Sequence, residues 1–487
     1  MTAAPITKDL FLNARTCPTL GWFIRNQPTE TPPTEGELFR MQQGQEIGRL
    51  ARSLFPDGRF IPSGTNAAAA NATQAVIVDP KLTVAFEATF IVGSFVAKPD
   101  ILLRDGDGWR VIEVKSSLAD TDQLSELIDD LTYTVMVLRR AGLKVIAAEL
   151  MLICRDYRKG QATSLLFQRL DQTDAVSQRL PEFDALWDSI DTSTIGMQPK
   201  PKLVSACRSC PHFESDCLGK GVEHSVFCLP RLHKNRLAAL AVDGIVSVAD
   251  LPEGFPLTPI QQRIVDCIGC GKPWVSPALG TAFQQLEWPV RYLDFESVMT
   301  ALPLYDDMPP FFQVTTQYSL HRRQRPDAEL EHVEYLADPM RDCQEELAER
   351  LIEDCGLSGS IVVYSGFEKT RIKGLAARFP RLSAKLLKLT ERLFDLLRVI
   401  QDGYYNVGFG GSYSIKVVLP VLVPELRYDS LAIADGDAAV ARFARAAMGK
   451  CSAKELEELR TDLLVYCQQD TLAMVRLHEA LMAMCQS

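Results

Sequence analysis

The stretch KPDILLRDGDGWRVIEVKSS, residues 98–117, constrains the fold most, because it predicts two adjacent strands with polar chemistry at one edge. Ile101–Arg104 is apolar and extended, and the Asp-Gly pairs that follow favour a tight turn, since they tolerate positive φ. Alternating apolar and charged residues then predict the second strand. Glu113 and Lys115 are two positions apart on it, so both side chains point to one face, near Asp100.

Two carboxylates and a lysine at one sheet edge suit metal-assisted hydrolysis. Carboxylate oxygens bind hard cations such as Mg²⁺ or Mn²⁺, and a lysine can orient the attacking water and stabilise phosphate charge. The pattern resembles the PD-(D/E)xK nuclease core, with Asp100 in the Pro-Asp motif and Glu113 and Lys115 in the Glu-x-Lys motif. The resemblance implies that these three residues are catalytic, that the two acids bind metal, and that Glu87 is a further ligand. The alternative is a solvated hairpin with ordinary surface charges.

The flanking residues predict further elements of such a core. Helical spacing covers Glu35–Phe55 and Asp122–Ala141, and an apolar run predicts a strand over Val145–Cys154. RecB-like nucleases of this type usually carry a metal-binding histidine on the early helix, where this chain has Gly48. They also often carry a glutamine after the lysine strand, where it has Thr134. These two departures favour an alternative in which this half binds nucleic acid without cleaving it.

Four of the thirteen cysteines form a candidate cofactor site. Cys17 precedes the hairpin, and Cys207, Cys210 and Cys217 follow it with C-x2-C-x6-C spacing. Four thiolates can hold a [4Fe–4S] cluster or a structural zinc ion. One cysteine before the core and three after it resembles the iron–sulfur RecB-like nucleases, which implies a cluster bound by these four residues. Zinc and inert buried cysteines are the alternatives.

A second set of acidic residues lies in the C-terminal half. Asp294 and Glu296 share one face of an apolar strand, and Tyr466 and Asp470 share one face of a helix. Unpaired buried carboxylates are costly, so these groups reach solvent or bind metal. The set resembles the DnaQ-like (DEDD) exonucleases, which have an RNase H-like fold. In that pattern Glu368 replaces the usual aspartate of a Phe-Asp motif.

This second resemblance implies two-metal phosphodiester hydrolysis with 3′→5′ polarity. Asp294, Glu296, Glu368 and Asp470 would bind Mg²⁺ or Mn²⁺, and Tyr466 would orient the attacking water. Asp395 is an alternative to Glu368 as a ligand or supporting group.

Two further segments are candidates for substrate contact. A glycine-rich turn at 408–416 lacks the P-loop spacing, so nucleotide triphosphate binding is not expected, although its backbone N–H groups can cradle a phosphate. The basic segment Phe367–Arg398 is either a phosphate-tracking surface or a solvated helix face. The residues expected to contact the substrate backbone are Arg371, Ser412, Ser414 and Lys416. A plain loop and helix cap is the alternative for the turn.

Length and composition limit the class of protein. A chain of 487 residues, 47% hydrophobic and 23% charged, predicts two or three globular domains. No apolar run approaches the ~20 residues of a membrane span, and the N-terminus lacks a signal-peptide pattern, so a cytoplasmic protein without membrane association is expected. The net charge of −10 does not exclude a nuclease, because only its binding surface has to be basic.

The chain as a whole is similar to an uncharacterised bacterial family, a domain of unknown function that fuses two nuclease-like halves. The resemblance implies an α/β protein with a restriction-endonuclease-like half at 1–220, a helical connector at 221–286 and an RNase H-like half at 287–487. It also implies a metal-dependent exonuclease that acts on DNA rather than RNA, in repair, recombination or defence. The alternative is a nucleic-acid-binding scaffold with one or both sites inactive.

Overall fold

A six-stranded mixed sheet forms the N-terminal half in the computed structural model, which describes residues 4–28, 32–62, 64–428, 431–433 and 435–486. The strands of this half are β1 Arg59–Phe60, β2 Val84–Phe86, β3 Phe90–Val92, β4 Phe95–Ala97, β5 Ile101–Asp105, β6 Gly108–Leu118, β7 Val145–Ile153 and β8 Phe167–Asp171. The sheet order is β1-β2-β5-β6-β7-β8, while β3 and β4 form a separate hairpin. Strand β6 is antiparallel to β5 and parallel to β7, which makes the sheet mixed.

Helices cover both faces of this sheet. They are α1 Lys8–Thr16, α2 Pro18–Asn26, α3 Glu35–Arg52, α4 Asn66–Ile77, α5 Leu124–Arg140 and α6 Thr173–Ile195. Phe11 of α1, Leu131 of α5 and Phe183 of α6 are fully buried in the core on one face. Ala51 of α3 packs with Ile112 on the other face. The hairpin, the long helix after it and the following strand are confirmed, and their ends differ from the prediction by three residues or fewer.

The segment that follows α6 is only partly helical. Its elements are α7 Phe213–Asp216, α8 Lys234–Val242, α9 Pro259–Cys270, β9 Trp274–Val275 and α10 Leu279–Phe283. Helix α9 starts with a capping box between Thr258 and Gln261 and ends at Gly271, whose φ of 66° is a left-handed cap. Buried Ile264 and Cys267 of α9 join the core of the C-terminal half. Helix α9 therefore packs with that half, whereas Leu237 and Leu240 of α8 pack with Cys207 and Phe213.

A five-stranded mixed sheet forms the C-terminal half. Its strands and the short strand that pairs with β9 are β10 Val290–Val298, β11 Val314–Arg323, β12 Glu331–Leu336, β13 Ile361–Val363, β14 Leu393–Asp395 and β15 Tyr404–Tyr405. The order is β12-β11-β10-β13-β14, so β10 is central. Strands β10, β11 and β12 are antiparallel neighbours, whereas β13 and β14 run parallel to β10.

The helices of this half pack on the second sheet or on one another. They are α11 Gln344–Cys355, α12 Phe367–Arg378, α13 Pro380–Glu391, α14 Leu396–Gly403, α15 Ile415–Leu422, α16 Gly436–Ala447 and α17 Ala453–Gln486. Helix α17 lies against β10 and β11, and its buried Ala473 and Leu477 belong to the core. This packing places one face of α17 over the central strand.

Helix α3 connects the two halves physically. Its Ile47 packs in one small cluster with Ile153 of β7 and Ala301, which follows β10. Its N-terminal part contacts α16. Because α3 has 18 residues, it spans about 27 Å. In the described part of the chain, no helix combines the length and apolar character that crossing a membrane requires.

Candidate active site

Three carboxylates of the C-terminal half converge at one point. Asp294 and Glu296 extend from the central strand β10, and Asp470 extends from α17. One carboxylate oxygen of each of these three residues lies within 4.8 Å of the corresponding oxygens of the other two. Among the described residues, no other three His, Cys, Asp or Glu side chains bring their ligand atoms this close together. Hard oxygen ligands at this spacing fit a divalent cation such as Mg²⁺.

The carboxylates form the floor of a cleft of about 770 Å³. Thr34, Glu37 and Arg40, at the N-terminal end of α3, form one wall, and Asp437 of α16 closes the cleft beside them. Arg40 contacts Asp437 at 2.9 Å, so the two helices are linked by an ion pair above the site. The remaining lining residues come mainly from the central strand, α12, α15 and α17.

Burial raises the pKa of every acidic group on this floor. It raises the pKa of Glu296 to about 8, of Glu368 to about 7 and of Asp470 to about 6, and that of Asp294 well above its ordinary value. The charge of Asp470 adds to the effect on Asp294 and Glu296. A cluster that is this costly to ionise without cations favours protons or metal ions as its partners.

Two tyrosines and one lysine surround Asp470. The Tyr428 hydroxyl donates a hydrogen bond of 2.6 Å to Asp470 Oδ1. The Tyr466 hydroxyl lies near Gly436 at the cleft wall, where a Cβ would be 4.0 Å away. Lys416 Nζ is 5.2 Å from the ring centre of Tyr466 and 5.4 Å from that of Tyr428, and its charge lowers the pKa of Asp470. Burial raises the pKa of both phenols, so they remain hydrogen-bond donors.

Glu368 rather than Asp395 faces the cleft. Glu368 lies in the first turn of α12, is 2% exposed, and its Oε2 has no hydrogen-bond partner in the described residues. Asp395 instead caps α14, since its side chain accepts from the Arg398 N–H at 3.0 Å. An unpartnered buried carboxylate oxygen beside the acidic group is consistent with a further ligand position.

The expected substrate-contacting residues separate into two groups. Lys416 lines the cleft, whereas Arg371, Ser412 and Ser414 do not. Arg371 stacks on Phe367, with 5.3 Å between its guanidinium carbon and the ring centre. In the basic segment, Arg378 of α12 and Arg381 of α13 pair with acidic groups of the α11 region, while four lysines are exposed. The ion pairs are Arg378–Asp342, Arg381–Glu345 and Arg381–Glu349, and the exposed lysines are Lys369, Lys373, Lys385 and Lys388.

The residues of the N-terminal motif also converge. Asp100 Oδ2 accepts the Val114 N–H at 2.7 Å, and Lys115 Nζ lies 4.0 Å from Glu113 Oε2. Glu113 is 2% exposed, and its Oε1 accepts the Thr134 hydroxyl at 2.9 Å. Burial, and then the charge of Glu113, raise the pKa of Asp100 to about 7. Thr134, at the position expected for a glutamine, therefore supports the glutamate of the motif.

A cation that the motif did not indicate lies in this second centre. Lys8 of α1 contacts Glu113 Oε2 at 3.2 Å and Asp130 Oδ2 at 3.5 Å, and Lys115 also pairs with Asp130. Although burial opposes it, the surrounding carboxylates raise the pKa of Lys8, so this side chain is an ammonium ion. Each acid of the motif thus has a protein partner.

Glu87 and the early helix meet at the edge of the same centre. Arg52 of α3 contacts Glu87 Oε1 at 3.1 Å. A Cβ on Gly48 would lie 3.3 Å from Arg52 Nη1, so the arginine extends past the position where a histidine was expected. Glu87 has a φ of 56°, a left-handed conformation that turns the chain directly after β2. Its carboxylate is paired with a cation in the structure.

The four cysteines of the proposed cofactor site lie near one another. Burial, and then the neighbouring thiols Cys17, Cys217 and Cys210, raise the pKa of Cys207. The Val204 N–H points to Cys207 Sγ at 3.5 Å. Phe23 of α2 stacks on His212 with 4.1 Å between ring centres, which holds the segment after Cys17 against the other three cysteines.

Comparisons with known proteins agree with this arrangement of the N-terminal half. Residues 64–215 match the PD-(D/E)XK nuclease superfamily. The matched segment contains Asp100, Glu113 and Lys115, so this part of the chain is similar to that superfamily at the residues of the motif. Residues 291–414 match a domain of unknown function (DUF2779).

Two relatives extend the comparison. Over 220 residues the chain is 26% identical to an uncharacterised protein, UU173, of Ureaplasma parvum. Over 218 residues it is 25% identical to an uncharacterised protein, the MG366 homolog, of Mycoplasma pneumoniae. Each match covers 40% of this chain and 31% or 32% of the relative, so the chain spans about a third of the length of these curated relatives.

Proposed function

We propose that the protein is a metal-dependent nuclease whose C-terminal half hydrolyses phosphodiester bonds. The observation that carries this proposal is the convergence of Asp294, Glu296 and Asp470 within 4.8 Å on the floor of an open cleft. Buried acids with raised pKa values are costly for a protein to keep unless they serve a site. Divalent cations are the partners that would remove this cost.

The surrounding fold supports a DnaQ-like, RNase H-like interpretation of this half. The mixed sheet has the first acidic motif on its central strand, and the Tyr-x3-Asp motif lies on the helix that packs across that strand. Glu368 enters from the helix after β13, which is the order that the resemblance implies. The exonuclease polarity and the preference for DNA rest on the resemblance.

Some side chains of the cleft would bind the ions, and others would contact the substrate phosphate or orient the attacking water. Asp294, Glu296 and Asp470 would hold the divalent ions, with Glu368 as a further oxygen donor. When bound, such ions activate water and stabilise the leaving oxygen. Lys416 supplies a cation at the cleft wall for a substrate phosphate. The Tyr466 hydroxyl, a donor at neutral pH, would orient the attacking water.

The cleft itself favours the end of a strand as substrate. Its volume of about 770 Å³ is that of a pocket for a small ligand, and α3 and α16 bound it on one side. Terminal nucleotides of a single strand suit such a space better than an intact duplex, which supports exonucleolytic cleavage.

The test is a degradation assay with Mg²⁺ or Mn²⁺ on single- and double-stranded DNA and RNA, each labelled at the 5′ or the 3′ end. Stepwise shortening of 5′-labelled single-stranded DNA, with immediate release of the label from 3′-labelled strands, is expected. Binding of all substrates without cleavage would contradict the proposal and favour the nucleic-acid-binding scaffold. The protein cations that occupy the N-terminal centre are the observation that favours this second candidate for that half.

The two tyrosines predict a separation between metal affinity and turnover. Tyr428→Phe removes the hydrogen bond to Asp470, so a loss of Mn²⁺ affinity of roughly 10- to 100-fold is expected, with turnover restored at saturating metal. Tyr466→Phe removes a donor at the cleft wall, so kcat is expected to fall about 100-fold at unchanged metal affinity. Mn²⁺ titrations of activity at saturating substrate check both. The same phenotype for both variants would contradict these roles.

For the four cysteines we favour a [4Fe–4S] cluster. The arrangement of Cys17 before the PD-(D/E)xK motifs and of Cys207, Cys210 and Cys217 after them resembles that of the iron–sulfur RecB-like nucleases. The Val204 N–H directed at Cys207 Sγ lowers the pKa of this thiol and so opposes in part the effect of burial.

Cys207→Ser is therefore expected to abolish iron binding in protein purified without oxygen. It removes one of four ligands, and the segments around Cys17 and Cys217 lose their common anchor, so the melting temperature should fall as well. Iron and zinc analysis with visible absorption measures the first effect. Cys270→Ser, at an exposed cysteine outside the set, is the matched control and should retain the metal. Stoichiometric zinc without iron in the wild-type protein would replace the cluster by the zinc alternative.

A further inference from the structure

Lys8 is the residue of the N-terminal centre that no motif predicted. Its Nζ lies 3.2 Å from Glu113 Oε2 and 3.5 Å from Asp130 Oδ2. The other oxygen of Glu113 accepts the Thr134 hydroxyl, and Asp100 accepts the Val114 N–H. Both oxygens of the buried glutamate are thus in use, and the ammonium ion supplies the positive charge that a divalent ion would otherwise supply.

The backbone that carries Lys8 is fixed. Ile6, two residues before it, forms a bridge with Phe95: its N–H donates to the Ser94 carbonyl at 2.8 Å, and its carbonyl accepts the Tyr133 hydroxyl at 2.6 Å. Phe11, further along α1, is fully buried. The Lys8 side chain, in contrast, is 30% exposed. The ammonium group can leave Glu113 by rotating toward solvent while α1 stays in place.

We infer that Lys8 competes with the divalent metal ion for Glu113, so that the N-terminal centre binds metal only when this ammonium group moves away. The inference rests on the proposal that the protein is a metal-dependent nuclease, and on the metal-binding role that the resemblance to the PD-(D/E)xK core gives to Asp100 and Glu113. A divalent ion on Glu113 would lie close to the Lys8 ammonium, and the repulsion between the two cations in a poorly screened site weakens metal binding while Lys8 stays in place. Lys115 differs from Lys8, since it belongs to the motif and lies farther from Glu113, at 4.0 Å.

The competition sets how the two halves respond to metal. In the C-terminal site, the charge of Lys416 lowers the pKa of Glu296 and Asp470, yet both values remain above the ordinary range of carboxyl groups. That group of carboxylates therefore still favours an added cation. The N-terminal centre, in contrast, has to lose the Lys8–Glu113 ion pair before it gains a metal ion. It is expected to fill at higher metal concentration than the C-terminal site.

The test measures Mn²⁺ binding by electron paramagnetic resonance in the full-length chain carrying Asp294→Asn, which weakens the C-terminal site. A Glu113→Gln variant in this background defines the N-terminal contribution. Lys8→Met should bind the Glu113-dependent ion at least about tenfold more tightly than its parent, because it removes the competing charge. Lys8→Arg retains the charge and should stay within about twofold of the parent.

The possible results separate the competition from the proposed function. A Glu113-dependent site with the same or weaker affinity in Lys8→Met overturns the competition while leaving the proposed metal-dependent function intact. The absence of any Glu113-dependent ion in both the parent and Lys8→Met overturns the competition and the metal-binding role of this half together. Thermal melts followed by circular dichroism verify folding. Should Lys8→Met fail to fold, Lys8→Gln gives a neutral side chain that still donates a hydrogen bond to Glu113.

Discussion

Asp294→Asn is expected to reduce the rate of phosphodiester hydrolysis by the C-terminal half about a thousandfold, the size of effect seen when one preorganised electrostatic group is removed from an active site. Asp294 lies beside Glu296 and Asp470, so its loss removes a shared negative ligand. Asparagine has the same shape, and it removes charge from a group of like charges, so the fold should persist. The drop should appear equally in kcat and kcat/KM, because substrate contacts elsewhere are unchanged.

The measurement is Mg²⁺-dependent degradation of end-labelled single-stranded DNA by wild-type and variant protein at equal concentration. Asp327→Asn is the matched control, since Asp327 lies in the turn between β11 and β12, where it pairs with nearby Arg325. It should cleave at the wild-type rate. Glu113→Gln is run beside them. If Glu113→Gln is inert and Asp294→Asn cleaves at close to the wild-type rate, the N-terminal centre catalyses the measured hydrolysis and the C-terminal half does not.

Local patterns explain why much of the two sites was predictable. The Asp-Gly turn and the alternation after it encode the β5–β6 hairpin without help from distant residues, and Gly106 adopts the required positive φ of 57°. Two-residue spacing put Asp294 and Glu296 on one face of β10, and four-residue spacing put Tyr466 and Asp470 on one face of α17. Periodicity fixes such faces before tertiary structure is considered.

Contacts between residues that are far apart in the sequence could not be predicted from local patterns. Lys8 meets Glu113 across 105 residues, and Tyr428 meets Asp470 across 42. Neither belongs to a motif, and a lone lysine or tyrosine in sequence carries no signal of its contact. The role of α3, which lines one site with its N-terminal end and pairs Arg52 with Glu87 at the other end, likewise depends on the packing of both halves.

The raised pKa values predict that the metal-free protein loses stability as the pH rises. Glu296, Glu368 and Asp470 have folded-state pKa values of about 8, 7 and 6, above their unfolded values of roughly 4. Between these limits the folded state binds more protons than the unfolded state. The free energy of unfolding therefore falls with increasing pH across this window, by about 1.4 kcal/mol per pH unit for each additional proton that the folded state holds.

Asp294→Asn should change which protein is the more stable, depending on pH and metal. The substitution relieves the repulsion between carboxylates that makes the site unstable without metal. In metal-free buffer at a pH above the folded-state pKa values the variant should melt at a higher temperature than the wild type. The two should converge in mildly acidic buffer, below those values, where protonation has already neutralised the site. Saturating Mg²⁺ should reverse the order of the two melting temperatures at the higher pH, since only the wild type keeps its full set of ligands and gains the binding free energy.

Differential scanning calorimetry of both proteins at the two pH values measures these melting temperatures, and contributions from the N-terminal centre cancel in the comparison. Parallel melting curves at both pH values, with or without Mg²⁺, would show that these carboxylates neither repel one another nor bind metal.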